Sequence, residues 1–98
     1  MRVISKKALN EFIDKVPKAA DSLLRWYMVS KEASWKNFSD MKNDFGTVDA
    51  VGDDLYVFNV GGNKYRIIAR IFFTVVPVVY VRFAGTHAEY DKVKLSNL

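Results

Sequence analysis

The chain has 98 residues, carries 15 Lys and Arg against 11 Asp and Glu for a net charge of +4, and contains no cysteine. That length allows one hydrophobic core, so residues 1–98 are expected to form a single domain, and an apolar half argues against disorder. The missing cysteines exclude a disulfide scaffold and a thiolate metal site. With no signal-like apolar stretch near Met1 and no run long enough to span a bilayer, they agree with a cytoplasmic location and no membrane partner.

Arg2, Val3 and Ile4 read as a short opening strand. Ser5 is a suitable N-cap for a helix whose apolar positions Leu9, Phe12, Ile13 and Val16 follow the helical period, and Pro17 ends it. A second helix is expected over residues 18–33, with Ala20, Leu23, Leu24, Tyr27 and Met28 on one stripe; Trp26 and Trp35 read as packing residues. Ser39 can cap a short helix through Phe45, which Gly46 would end. The period then changes from helix to strand. Residues 47–51 read as an edge strand, Gly52-Asp53-Asp54 as a turn, and residues 55–60 as a strand. Gly61-Gly62 supplies a tight hairpin turn into a strand over residues 63–74. Pro77 belongs in the next turn, before a strand over residues 78–85, and residues 88–95 read as a short closing helix. The pattern predicts an α+β fold: a mainly antiparallel sheet, N-terminal helices packed on one face, and a short C-terminal helix.

Charge is distributed unevenly along this pattern. Up to residue 54 nine cations balance nine acids, whereas residues 55–98 hold six cations and two acids. Side chains alternate between faces along a strand. Lys64, Arg66, Ile68 and Arg70 therefore share a face opposite Tyr65, Ile67, Ala69, Ile71 and Phe73. In the next strand Tyr80, Arg82 and Ala84 lie opposite Val79, Val81 and Phe83. Placing the apolar sets under the helices brings Arg66, Arg70 and Arg82 out together with Tyr80 between them. Strands about 4.8 Å apart would let those guanidiniums converge on a phosphate-sized patch. Alternatively they are solvated, or paired with Glu89, Asp91 or an acid from the first half.

His87 is the only histidine and follows directly on Gly85-Thr86 at the end of the last strand. Imidazole as a residue type titrates close to neutral pH and suits proton transfer. One histidine without cysteine leaves too few ligands of the usual kind for a metal. Tyr90, three residues on, would share a helix side with His87 and could stack on a base, handle a proton, or cover the core. Gly61-Gly62-Asn63 matches neither a Walker nor a dinucleotide-binding pattern and is read as a hairpin.

Two segments carry a family resemblance. Val57-Phe58-Asn59-Val60-Gly61-Gly62-Asn63-Lys64-Tyr65-Arg66 is one, and Val81-Arg82-Phe83-Ala84-Gly85-Thr86-His87-Ala88-Glu89-Tyr90-Asp91-Lys92 is the other. Together with Arg2 to Leu9, Trp26-Tyr27 and Trp35-Lys36, they resemble the HigB toxins of type II toxin–antitoxin systems. Those toxins belong to the wider RelE/ParE-like group, so the resemblance implies a small RelE-like fold. It also implies an mRNA interferase that cuts messages, usually in the ribosome, without a metal or other cofactor. The implied partners are mRNA, the ribosome and a HigA-type helix-turn-helix antitoxin. On this resemblance His87, Arg66, Arg82 and Tyr90 are the catalytic candidates, and Lys64, Arg70 and Tyr80 the RNA-binding ones. The apolar connection Thr74-Val75-Val76-Pro77-Val78 departs from the polar or basic turn expected of the family. Because ParE-like relatives inhibit DNA gyrase on the same fold, a non-enzymatic gyrase inhibitor is the competing expectation, followed by an RNA-binding module that does not cut.

Overall fold

A computed structural model describes residues 1–98. Strand β1 (Arg2–Ile4) leads into α1 (Lys7–Lys15), a 3-10 turn (Pro17–Ala19), α2 (Ala20–Glu32) and α3 (Phe38–Asp44). Strands β2 (Asp49–Ala50), β3 (Leu55–Val60), β4 (Tyr65–Phe72) and β5 (Val78–Thr86) follow, then α4 (His87–Tyr90) and a last 3-10 turn (Leu95–Asn97). The five strands form one sheet in the order β1-β5-β4-β3-β2, antiparallel except for the parallel β1–β5 pair. The α+β class and the largely antiparallel sheet are as the sequence predicts. No helix is long and apolar enough to cross a membrane.

Local chemistry differs from expectation at several ends. Ser5 is not the α1 cap: it sits at φ 67°, and Lys6 takes that position without a side-chain bond. Asn37, not Ser39, caps α3, its Oδ1 accepting from the Asp40 amide at 2.9 Å. The buried stripe of α2 is Leu23, Trp26 and Ser30, while Leu24 and Met28 face solvent. Trp26 takes the sheet-facing position, its indole packed edge-on to Phe58 at 5.2 Å between ring centres. The closing helix is one turn at Thr86's end of the sheet rather than a run over residues 88–95.

Two apolar layers result. The larger lies under the helices and joins Leu9, Phe12, Leu23, Trp26 and Met41 to Phe58, Ile67, Ala69, Ile71, Val79 and Val81. The smaller lies on the other face of the sheet, where Leu55, Val57 and Ile68 are covered by Phe83, Tyr90, Val93, Leu95 and Leu98. The C-terminal segment therefore occupies part of a face that strand alternation assigns to solvent.

The β3–β4 connection spans Gly61 to Lys64, longer than a two-residue hairpin turn, with positive φ at Gly61, Gly62 and Asn63. Gly61 combines φ +63° with close neighbours: a Cβ there would lie 2.8 Å from Tyr65 Cδ2 and 3.0 Å from Ser22 Oγ. Gly61→Ala should therefore destabilise the protein by about 1–3 kcal/mol, read as a lower urea midpoint. Gly62→Ala shares the backbone strain but meets open space, so its loss should be smaller.

Candidate active site

One break in register decides where the candidate side chains point. Ile68 pairs with Phe83, but Ala69 pairs with Val81, so Arg82 is an extra residue in β5. This β-bulge reverses the faces beyond it. Ala84 joins Ile67 on the helix side, and Phe83 joins Ile68 on the other, the opposite of simple alternation.

The expected convergence of three arginines is accordingly not what the structure shows. Arg70 lies opposite Tyr80 and is engaged by Asp53, whose backbone carbonyl accepts from Arg70 Nε at 3.1 Å and whose carboxylate is 3.5 Å from Nη2. This is the pairing with an acid from the first half that composition left open. Tyr80 packs edge-on to Phe72 at 6.0 Å. Arg82 is exposed and lines a depression of about 210 Å³ with Ala8, Glu11, Phe12 and Lys15 of α1 and Glu89 of α4.

Four candidates do come together. Arg66 stands opposite Gly85, two residues before His87, and its guanidinium lies 5.8 Å from the Tyr90 ring centre. The His87 amide donates to the Lys64 carbonyl at 3.3 Å, which ties the β3–β4 turn to the start of α4. Lys64, Arg66, His87 and Tyr90 thus cluster at the end of the sheet where β4 begins and β5 ends, Arg66 and Tyr90 meeting through side chains, Lys64 and His87 through the backbone. The Thr74–Pro77 connection lies at the opposite end, with Val75 and Val76 exposed.

Within the cluster the environments differ sharply. Arg66 is only 7% exposed, yet no carboxylate lies within ion-pair distance of it. Its Nη1 donates to the Asn63 carbonyl at 3.1 Å and the Tyr65 carbonyl at 3.3 Å. A buried cation held by neutral acceptors alone is incompletely compensated, which favours its binding an anion. His87 is exposed, with Nε2 3.6 Å from Asp91 Oδ1 across one helical turn, an ion pair whenever the imidazole is protonated. Tyr90 is half-buried, one side against the smaller apolar layer and the other toward Arg66. The arrangement puts a guanidinium against an aromatic ring, with an imidazole at the start of the same helical turn.

Glu89 and Asp91, read from the sequence only as possible partners of the arginines, are engaged within α4 instead. Glu89 Oε1 accepts from the Thr86 amide at 2.9 Å while Thr86 Oγ1 accepts from the Glu89 amide at 3.1 Å. The Thr-x-x-Glu spacing of such a box was readable in Thr86-His87-Ala88-Glu89. The Thr86 amide bond is the main reason the Glu89 carboxyl lies below its ordinary range, with Lys15 and Lys92 adding to that against a desolvation cost. Asp91 faces His87 rather than an arginine.

Comparison with known proteins supplies the context for this geometry. The HigB toxin family model, described as the RelE-like toxic component of a toxin–antitoxin system, matches residues 19–93 and so contains every candidate site residue. The mRNA interferase toxin HigB of Escherichia coli K12 is 34% identical over 93% of this chain and 88% of its own length. The mRNA interferase HigB of Escherichia coli O6:H1 is 37% identical over 95% of this chain and 91% of its own. That of Shigella flexneri is 34% identical, with coverage of 93% and 88%. With likeness running through nearly the full length of chain and relatives alike, this protein belongs to the HigB family of RelE-like toxins.

Proposed function

We propose that the chain is an mRNA interferase that cleaves messenger RNA at the cluster of Lys64, Arg66, His87 and Tyr90. The observation that carries this reading is Arg66, a buried guanidinium without a carboxylate, against the ring of Tyr90, whose one-turn helix begins at the only histidine. The ribose 2′-hydroxyl attacks the adjacent phosphorus, the 5′-oxygen leaves, and a 2′,3′-cyclic phosphate or its opened 3′-phosphate remains. Such a step needs a base for the hydroxyl, an acid for the leaving oxygen, and positive charge on the phosphorane. His87 takes one of the two proton transfers, and Arg66 holds the phosphate. Tyr90 stacks on a base or assists the second transfer. Arg82 binds RNA on the far side of α4, with Arg70 and Tyr80 as more distant contacts. No step requires a metal or cofactor.

The reading places the protein in the cytoplasm, acting on messages in the ribosome, and a HigA-type helix-turn-helix protein is its antitoxin. Expression without that antitoxin should arrest growth and shorten messages. Primer extension on a defined message, with and without ribosomes, checks both the cutting and its setting. Arrested growth with intact messages and reduced gyrase activity would instead identify a gyrase inhibitor.

RNA association should weaken as salt rises, because neutralised phosphates release counterions. Arg66→Ala and Arg82→Ala should each flatten the plot of log affinity against log salt. Lys42→Ala, on α3 beneath the helix side, should not. Equal slopes in all three variants would place the RNA on another surface.

A further inference from the structure

The helix that carries His87 and Tyr90 cannot hold itself. Four residues form a single turn, too short to be stable alone, and α4 buries none of its residues fully. What defines it is the reciprocal pair of bonds between Thr86 and Glu89 at its start. The surroundings are fitted to that pair. A Cβ at Gly85 would lie 2.6 Å from Phe83 Cζ and 3.2 Å from Glu89 Oε1, so the Phe83 ring and the Glu89 carboxylate share space that only glycine leaves open. Gly85 lies opposite Arg66 in the sheet, so the same residue adjoins both the proposed phosphate-binding strand and the cap. Glu89 itself lines the depression with Lys15 and Arg82, whereas Tyr90 lies against Arg66.

We propose that Glu89 is a positioning residue for RNA cleavage: through the Thr86 amide it fixes the one-turn helix that directs His87 and Tyr90 at the scissile phosphate. This rests on the roles given to His87 and Tyr90 above. An acceptor at position 89 is what the device needs. Glutamine keeps the acceptor oxygen and loses the charge, whereas alanine loses both. Losing the cap leaves the core intact but lets the imidazole drift, and a displacement of about 1 Å can cost up to ~10²-fold in rate.

The test uses the full chain and cleavage of a short message programmed into ribosomes, with kcat, KM and the urea midpoint measured for each variant. Glu89→Ala and Thr86→Ala should each lower kcat by about 10- to 100-fold. KM should stay within about twofold and the urea midpoint close to that of the parent. Glu89→Gln and Thr86→Ser should recover most of the rate. The double variant should be no slower than the worse single one, because both changes break one box. Gly85→Ala, which alters no charge, should also slow cleavage by crowding Phe83 and Glu89. Placed on a His87→Ala background, Glu89→Ala should cost much less than in the parent.

An unchanged kcat in Glu89→Ala, a loss confined to KM, or an undiminished loss on the His87→Ala background would overturn the proposal. A fully active His87→Ala protein would overturn the parent reading, and it is scored separately from the Glu89 result.

Discussion

His87→Ala should slow message cleavage by a factor of about 10²–10⁴ while leaving the protein folded and able to bind its target. The magnitude is that of removing a positioned proton-transfer group. Folding survives because His87 is exposed and its ring carries none of either apolar layer. The backbone bond from its amide to Lys64 is kept in the variant. Binding survives because the guanidinium of Arg66 and the other cations remain. The measurement is single-turnover cleavage beside an affinity titration and a urea unfolding curve. A folded, fully active variant would remove His87 from the mechanism and move the proton transfer to Tyr90 or Lys64.

The parts of this site that could be read from the sequence are those set by short-range chemistry. Strand β3 and most of β5 follow from alternation and from the Gly-rich turn between β3 and β4, and the lone histidine after Gly85-Thr86 marks the end of the sheet. The faces of β5 could not be read, because a one-residue bulge at Arg82 has no signature of its own. Alternation counted past it sends Ala84 and Phe83 to the wrong sides. The same limit hid the fate of Arg66. A strand cation reads as solvated until the C-terminal segment is known to fold back over Leu55, Val57 and Ile68, bringing Tyr90 beside it. That fold-back joins residues far apart in the chain, which no local period reports. Arg70 shows the converse, since its partner Asp53 sits in a turn seventeen residues earlier and turns the pairing that composition left open into an ion pair.

Arg66→Ala should lower kcat by about 10²–10³, the range for losing one preorganised donor to a developing anion, and should weaken RNA binding as well. The phosphate meets this charge in both the ground and transition states, so both parameters move. Lysine at position 66 should restore only part of the rate. It keeps the charge but lacks the planar fork that lets one guanidinium satisfy the Asn63 and Tyr65 carbonyls and still present donors to a phosphate. Stability should change little in Arg66→Ala, because two effects oppose each other. The two carbonyls lose a donor, which costs about 1–3 kcal/mol, while a buried charge without a carboxylate is removed, which is favourable. Arg82→Ala is the control for location. Arg82 is exposed on the α1 side of α4, so its loss should be felt mainly in affinity and salt dependence and should leave most of kcat. If Arg82→Ala instead slowed the chemical step more than Arg66→Ala, the scissile phosphate would lie in the depression lined by Lys15 and Glu89. The buried guanidinium beneath Tyr90 would then be a structural cation.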